Sequence, residues 1–225
     1  MMMTLENPII HLHQHPIVSD TLATLRNVQT TPAQFRTAME RVAHVLFTEA
    51  TRRLPTVQQN VLTPIGPARQ SVLHPEHPVV IVPILRAGLA WLDVAQRWLP
   101  NAQVHMMGLA RNAETLTIEE YYNTLNRCET SVLPPEKAMV LLLDPMLATG
   151  NSLQVAVERL LAKGFAEENI IYVALLASPE GVEIIHNHFP RLTMVLGCID
   201  ERLNEKSYIV PGLGDAGDRY FNTPH

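Results

Sequence analysis

Between positions 141 and 152 the chain reads Leu141-Leu142-Leu143-Asp144-Pro145-Met146-Leu147-Ala148-Thr149-Gly150-Asn151-Ser152. An apolar run gives way here to small residues, just before a helix predicted at Ser152–Lys163 that ends near Gly164. The N–H groups at a helix start lack partners, and the helix dipole favours an anion there. Thr149 and Ser152 add hydroxyl donors, and Gly150 lets the backbone approach a phosphate closely. Asp144 can accept hydrogen bonds from sugar hydroxyls. The stretch predicts a phosphate-binding turn, and the alternative is an ordinary loop that Asp144 caps.

Strands and helices alternate on both sides of this turn. Apolar, β-branched runs predict buried strands, and the segments between them predict helices. This alternation is typical of a parallel sheet with right-handed crossovers, in which ligands sit beyond the carboxyl ends of the strands. We therefore predict an α/β fold with flanking helices. The predicted strands are 79–82, 104–109, 138–143, 170–177 and 192–199, and the predicted helices between them are 89–99, 152–163 and 179–188.

Before the first predicted strand, the clearest signal is a helix start. Thr31 can cap the helix, Pro32 suits its first position, and Gln34 completes a capping box. The Pro-containing stretch from Thr63 to Pro78 predicts a loop or an arm. His11, His13 and His15 would share a strand face and invite a metal hypothesis, but we expect solvated side chains because no second cluster supports them.

Composition limits the classes of function. The chain has 225 residues and a net charge of −5, without a Lys/Arg cluster, so we expect no nucleic-acid partner. Its apolar runs are too short to cross a bilayer, and its start lacks a secretory signal, so we expect no membrane partner. Cys128 and Cys198 lie far apart without a CxxC partner, which suggests neither a disulfide framework nor a zinc site. We predict one domain in the reducing cytoplasm.

Two arginines follow predicted strands. Arg86, in Pro83–Leu89, comes directly after the first buried strand and can offer a planar fork to a diphosphate. The alternative is that Arg86 pairs with a carboxylate across the site. Arg111 follows the second predicted strand and, taken alone, is an unremarkable arginine of a surface loop.

The chain from Tyr208 to Arg219 reads Tyr-Ile-Val-Pro-Gly-Leu-Gly-Asp-Ala-Gly-Asp-Arg. Three glycines within six residues, next to a proline and two aspartates, exclude a plain helix or strand. Such a loop exposes backbone donors and acceptors. On composition alone, the alternative is a glycine-rich tail without a ligand.

These motifs together resemble one enzyme family. An apolar run followed by Asp, small residues and Thr-Gly is similar to the loop of type I phosphoribosyltransferases that binds phosphoribosyl pyrophosphate (PRPP). The version at 144–150 is typical of uracil phosphoribosyltransferases, and residues 83–89 and 208–219 resemble that family's PRPP-contacting turn and uracil-binding signature. The chain departs from the family pattern at Ala110, Ala113 and Asn151. Because asparagine tolerates left-handed backbone angles, we expect Asn151 to preserve the turn.

The resemblance implies the synthesis of UMP from uracil and PRPP. It implies one domain with an amino-terminal helix and arm (1–78), a PRPP-binding core (79–199) and a uracil-binding hood (200–225). Asp144 and Arg111 are implied as catalytic, and the stretch around Arg111, Glu114, Thr115 and Glu119–Tyr122 as a mobile lid. The implied PRPP contacts are Arg86, Arg111, Asp144, Pro145, Met146, Leu147, Ala148, Thr149, Gly150, Asn151, Ser152 and Asp215, and the implied uracil contacts are Ile209, Gly214, Asp215 and Ala216.

The resemblance also implies partners. Mg²⁺ is expected to bind mainly through PRPP, which leaves no dedicated protein metal site. A homodimer or larger homo-oligomer and activation by GTP are family properties. Three other hypotheses remain open: a regulator that binds PRPP or UMP and controls RNA or a partner protein, a phosphoribosyltransferase for another base, and a homologue with an inactive site.

Overall fold

The computed structural model of the chain describes residues 9–111, 117–128 and 133–223. Six α-helices lie in these parts: α1 Pro16–Arg26, α2 Pro32–Thr51, α3 Leu92–Trp98, α4 Asn151–Ala162, α5 Pro179–His188 and α6 Ala216–Phe221. The strands there are β1 Ile9–His11, β2 Thr56–Leu62, β3 Pro67–Leu73, β4 Val79–Leu85, β5 Gln103–Val104, β6 Met107–Arg111, β7 Ile118–Asn123, β8 Met139–Leu143, β9 Met146–Leu147, β10 Ile170–Ala177, β11 Thr193–Ile199, β12 Arg202–Leu203 and β13 Ile209–Val210.

A nine-stranded sheet forms the centre of the molecule, in the order β1-β11-β10-β8-β4-β6-β7, with β5 beside β4 and β9 beside β10. All its strand pairs are parallel except β6–β7, which is antiparallel. Strand β10 is buried along its whole length, as expected for a parallel strand covered on both faces. The predicted α/β fold with a parallel sheet is confirmed.

Two apolar cores lie on opposite faces of the sheet because successive strand residues point to opposite sides. Leu141 packs in the core with α1, α2 and α3, whereas its neighbour Leu142 packs with α4 and α5. In the first core, Trp91 is fully buried and donates its indole N–H to the Met39 carbonyl at 3.1 Å. Buried Trp91 therefore fixes α2 to the segment that follows β4.

Most predicted elements have the expected type. The strand at 170–177 matches β10, and helix 179–188 matches α5. The strand predicted at 104–109 is divided into β5 and β6, which pair with successive parts of β4. The helix predicted at 89–99 begins instead as a 3-10 helix, Ala87–Trp91, before α3.

The amino-terminal part contains more structure than the sequence patterns predicted. The capping box of Thr31 and Gln34 is present at the start of α2. Helix α1, which precedes it, was not predicted. Strands β2 and β3 form an antiparallel hairpin, so only part of the stretch from Thr63 to Pro78 is a loop.

The remaining side chains singled out in the sequence are the histidines near the amino terminus and the two cysteines. The rings of His11 and His13 are stacked with centroids 4.6 Å apart, and the His15 ring caps α1 by accepting from Ile17 N–H at 3.2 Å. Cys128 and Cys198 are free thiols. Across the described ranges, no helix combines the length and apolar character needed to cross a bilayer.

Candidate active site

The site lies where the order of the sheet strands changes direction. From β4 the chain continues to β6 on one side of β4, and then returns to β8 on its other side. A crevice opens beyond the carboxyl ends of two such strands because their connections run to opposite sides. Here the two ends are Leu85 and Leu143, which are followed directly by Arg86 and Asp144.

A small cavity of about 70 Å³ lies against the turn after β8. We call residues 144–152 the small-residue turn. Gly150, at the start of α4, has a φ of 83°, a left-handed conformation that glycine adopts without strain. The cavity is lined by Asp144, Met146, Leu147, Ala148, Thr149, Gly150, Ser152, Leu153 and Tyr172.

Asn151 does not have the role expected of it. It is the first residue of α4, and its N–H lies 3.5 Å from the Thr149 hydroxyl oxygen. The turn is present with Asn151, as expected, but the reason given was wrong, because Gly150 and not Asn151 takes the left-handed conformation. Asn222, which ends α6, does use this tolerance, with a φ of 56°.

Asp144 is held at the floor of the small-residue turn. Its Oδ1 accepts a hydrogen bond from Met146 N–H at 3.4 Å, and its carbonyl accepts one from the Tyr172 hydroxyl at 3.3 Å. Burial raises the pKa of the Asp144 carboxyl from 3.8 to about 7; the hydrogen bond from Met146 opposes this rise, and the negative charge of Asp215 adds to it. The site therefore favours hydroxyl donors or positive charge next to Asp144.

The small-residue turn is supported from behind by the start of α5. The fully buried Ser178 donates its hydroxyl to the Ala148 carbonyl at 2.6 Å and accepts from Gly181 N–H at 2.9 Å. A Cβ atom at position 181 would lie 2.2 Å from the Ala148 carbonyl oxygen, so only glycine fits there without displacing the turn. The position of Ala148 therefore depends on Ser178 and Gly181.

A larger cavity of about 420 Å³ opens on the other side of the small-residue turn. Met146 and Ala148 line both cavities, which therefore adjoin. The other residues that line the larger cavity are Ala87, Lys206, Ser207, Tyr208, Ile209, Gly214, Asp215, Ala216 and Gly217.

One wall of the larger cavity is formed by residues 209–216, which we call the base loop. The Val210–Pro211 peptide bond is cis, and Gly212 and Gly214 have φ values of 61° and 80°. Asp215 then caps α6, because its Oδ1 accepts from Asp218 N–H at 2.8 Å. The loop brings Ile209, Gly214, Asp215 and Ala216, the four predicted uracil contacts, to one cavity.

Arg86 directly follows β4 and precedes Ala87, which lines the larger cavity. Its guanidinium donates to Asp218 Oδ1 at 3.0 Å, so the carboxylate pairing considered as the alternative is present. The Arg86 side chain is nevertheless 56% exposed and Asp218 only 15%. Because water reaches the guanidinium side of this pair, a strongly anionic ligand can compete with the carboxylate for Arg86.

The predicted lid stands on a β-ribbon. Strands β6 and β7 pair antiparallel, and Glu119–Tyr122 lie on β7. The backbone of Arg111 ends β6. Its side chain, and the residues Ala113, Glu114 and Thr115, lie outside the described parts of the chain, so the lid stays a prediction.

Several residues next to these cavities were missed in the sequence. Ser178 and Asp200 follow the buried strands β10 and β11, just as Asp144 follows β8. The same signal, a polar residue at the carboxyl end of a buried strand, could have identified both. By contrast, no local pattern marks Lys206 or Ser207, since folding alone brings them to the larger cavity.

The chain is similar to known proteins over nearly its whole length. The family model of uracil phosphoribosyltransferases matches residues 12–223. A uracil phosphoribosyltransferase from Synechocystis is 42% identical over 95% of this chain and 97% of its own length, and one from Bacillus licheniformis is 40% identical over 95% and 98%. The solved structure of the AQ2163 protein from Aquifex aeolicus superposes with a TM-score of 0.83 and 38% identity, covering 95% of this chain and 97% of its own.

Proposed function

The chain belongs to the uracil phosphoribosyltransferase family, and on this premise we propose which of its residues carry the reaction. The reaction joins uracil to the ribose 5-phosphate of PRPP, forming UMP and pyrophosphate. The observation that carries the assignment is the pair of adjoining cavities that share Met146 and Ala148. One substrate in each cavity would meet the other across these two residues.

PRPP is assigned to the smaller cavity and its rim. The start of α4, with the hydroxyls of Thr149 and Ser152, would bind the 5-phosphate through unpaired N–H groups and the helix dipole. Asp144 would accept hydrogen bonds from the ribose hydroxyls. The diphosphate would lie toward Arg86, which is half-exposed, and toward Arg111 from the lid.

Uracil is assigned to the larger cavity. Its edge offers two carbonyl oxygens and an N–H, which backbone groups of Ile209, Gly214 and Ala216 can match. Cytosine reverses the donor pattern at position 4 and would leave a backbone group unpaired, so it should be rejected. Asp215 lines the same cavity and lies close enough to raise the pKa of Asp144, which fits a residue near both substrates.

The chemical step requires mainly positioning and electrostatics. The bond from ribose C1 to the diphosphate oxygen breaks and positive charge builds on the ribose. Uracil N1 forms the new bond to C1 and gives up its proton, which the released pyrophosphate can accept. The carboxylates of Asp144 and Asp215 would face this positive charge, and Arg86 and Arg111 would stabilise the leaving pyrophosphate. A closed lid would exclude water from the activated sugar.

Mg²⁺ fits this arrangement as an ion that arrives with PRPP. In the ranges that the structure describes, no group of three or more His, Cys, Asp or Glu side chains could hold a metal. Mg²⁺ prefers oxygen ligands and usually keeps substrate phosphates among them, and the oxygens of Asp144 and Asp215 are nearby. When bound, the ion neutralises charge on the diphosphate.

Assembly into a homo-oligomer is also proposed. The hairpin β2–β3 exposes large apolar side chains: Leu62 is 87% exposed and Ile65 98%. Exposed apolar surface of this kind often marks a protein interface. Activation by GTP and a cytoplasmic location stay predictions of the sequence.

The direct test is UMP formation from uracil and PRPP with Mg²⁺, with cytosine and purine bases as competitors. We expect uracil-selective product, and loss of turnover in Asp144→Asn and Arg111→Ala. A folded protein that binds PRPP but forms no UMP would support the inactive-site or regulator hypothesis. Measuring RNA binding at several salt concentrations would then separate those two.

A further inference from the structure

An ion pair outside both cavities holds the turn of the base loop. Arg26, the last residue of α1, donates to both carboxylate oxygens of Asp200, at 2.5 Å and 2.8 Å. The Asp200 side chain is only 3% exposed, and that of Arg26 25%. A bidentate pair of this kind fixes geometry more strictly than an exposed ion pair does.

Both partners of the pair also bind one residue of the base loop. Asp200 Oδ2 accepts from Gly212 N–H at 2.9 Å, and Arg26 donates to the Gly212 carbonyl at 3.0 Å. Gly212 thus has its backbone donor and its backbone acceptor satisfied by the same ion pair. A Cβ atom at position 212 would lie 2.1 Å from the Ile209 carbonyl oxygen, so the turn here is also sterically tight.

Gly212 lies between the two parts of the base loop that line the cavity. Ile209 precedes it, and Gly214 to Ala216 follow it. The distance between these two parts therefore depends on the conformation at Gly212. A backbone site that reads the edge of a flat base needs its donors and acceptors placed within a few tenths of an ångström, on the order of 0.5 Å.

A second arginine anchors the far side of the turn to the same helix end. Arg219 donates to the carbonyls of Leu25, Leu213 and Asn27, and its guanidinium lies 4.5 Å from the centroid of the Phe35 ring. Leu25 and Asn27 flank Arg26 at the end of α1. Two arginines thus join this helix end to the base loop on both sides of its turn.

We propose that Arg26 and Asp200 are positioning residues for uracil: the ion pair sets the conformation of Gly212 and so the separation of the two parts of the base loop. The inference rests on the proposed location of uracil in the larger cavity. It assigns uracil recognition to two residues that do not line that cavity, one of them from the amino-terminal part of the chain.

The test compares substrate constants in variants of the pair with a matched control. Arg26→Ala and Asp200→Asn should raise KM for uracil about tenfold or more while KM for PRPP stays within about threefold. Arg26→Lys keeps the charge but not the bidentate geometry, and should fall between wild type and Arg26→Ala. The control is Arg41→Ala, which breaks the exposed ion pair with Asp20 and should change neither constant.

Stability is measured in parallel by thermal unfolding, because removing one member of a buried pair leaves the other charge unpaired. If the single variants do not fold, the double variant Arg26→Met with Asp200→Leu removes both charges, and the same rise in KM for uracil is expected. Equal rises in both KM values, or a loss of kcat with both unchanged, would overturn the proposal, since the pair would then only support the fold.

The variant Ala87→Leu distinguishes failure of the positioning role from failure of the proposed uracil site. Ala87 lines the larger cavity but belongs neither to the base loop nor to the ion pair of Arg26 and Asp200. If Ala87→Leu weakens uracil use and the pair variants do not, the positioning role fails and the base site stands. If Ala87→Leu has no effect, the base site itself is misplaced and the proposal falls with it.

Discussion

Replacing Asp144 with asparagine should stabilise the ligand-free protein while inactivating it. Burial raises the pKa of the Asp144 carboxyl from 3.8 to about 7, so the folded state binds this proton more tightly than the unfolded chain does. The stability linked to this proton is fully present below pH 3.8 and is lost as the pH rises through about 7. Because the asparagine side chain does not titrate, the variant keeps this stability as the pH rises.

The size of the effect follows from the two pKa values. The interval between pKa values of 3.8 and about 7 corresponds to at most about 4 kcal/mol, which is the upper limit on the gain in the free energy of unfolding from this substitution. Asp144 is only half-buried as a residue, and water in the open cavity screens part of this, so we expect about 2 kcal/mol at pH 8. For a chain of 225 residues, that corresponds to a rise in Tm of about 4–8 °C.

Thermal unfolding of the ligand-free protein at pH 8 and pH 5.5 measures this gain. It should be largest at pH 8 and fall to about half at pH 5.5, where part of the wild-type penalty is relieved. UMP formation by the variant should fall about 100-fold. Asp20→Asn, which changes an exposed carboxylate, is the control. A gain that is equal at both pH values, or a variant less stable than wild type at pH 8, would refute the reasoning.

Three further outcomes are expected. Gly181→Ala should raise KM for PRPP and lower the free energy of unfolding by about 1–3 kcal/mol, because its Cβ atom would meet a backbone carbonyl of the small-residue turn. The control is Gly66→Ala, which has open space around it. Equal effects of the two substitutions would contradict the argument. Asp218→Asn should cost at most about 1 kcal/mol in urea unfolding, because the Arg86 partner of its ion pair is half-exposed and the asparagine oxygen can still accept from the Thr223 hydroxyl. A larger loss would show a stronger structural role. Thr31→Ala should lower stability by about 1 kcal/mol through loss of the capping box, without changing kcat; a changed kcat would contradict a purely local effect.

The sequence predicts the central sheet and the small-residue turn well because both are encoded locally. Buried parallel strands are continuous apolar runs, and the turn after β8 has a composition that few other structures require. The error at Asn151 arose one residue away, where Gly150 takes the left-handed conformation. Identity alone could not decide between two adjacent residues that both tolerate it.

The structural features that could not be, or were not, predicted from the sequence are of two kinds. Helix α1 had a readable signal, since its buried residues Val18, Leu22 and Leu25 recur at helical spacing after a proline that suits a first position. The pairing of Arg26 with Asp200 had none, because the two residues are separated by 174 positions. Contacts of that range depend on how the whole sheet brings its edges together, and no local pattern contains them.

The connection between α1 and the base loop has a consequence for the order in which the protein matures during synthesis. Arg26 and Gly212 are 186 positions apart, and synthesis at about 5–20 residues per second separates them by roughly ten seconds or more. During that interval α1, α2 and the growing sheet can assemble on the ribosome. The end of α1 cannot yet bind Asp200 or Gly212, because these residues have not been synthesised. A nascent chain should therefore acquire the turn for phosphate, which needs Ser178 and Gly181 behind it, before any site for the base.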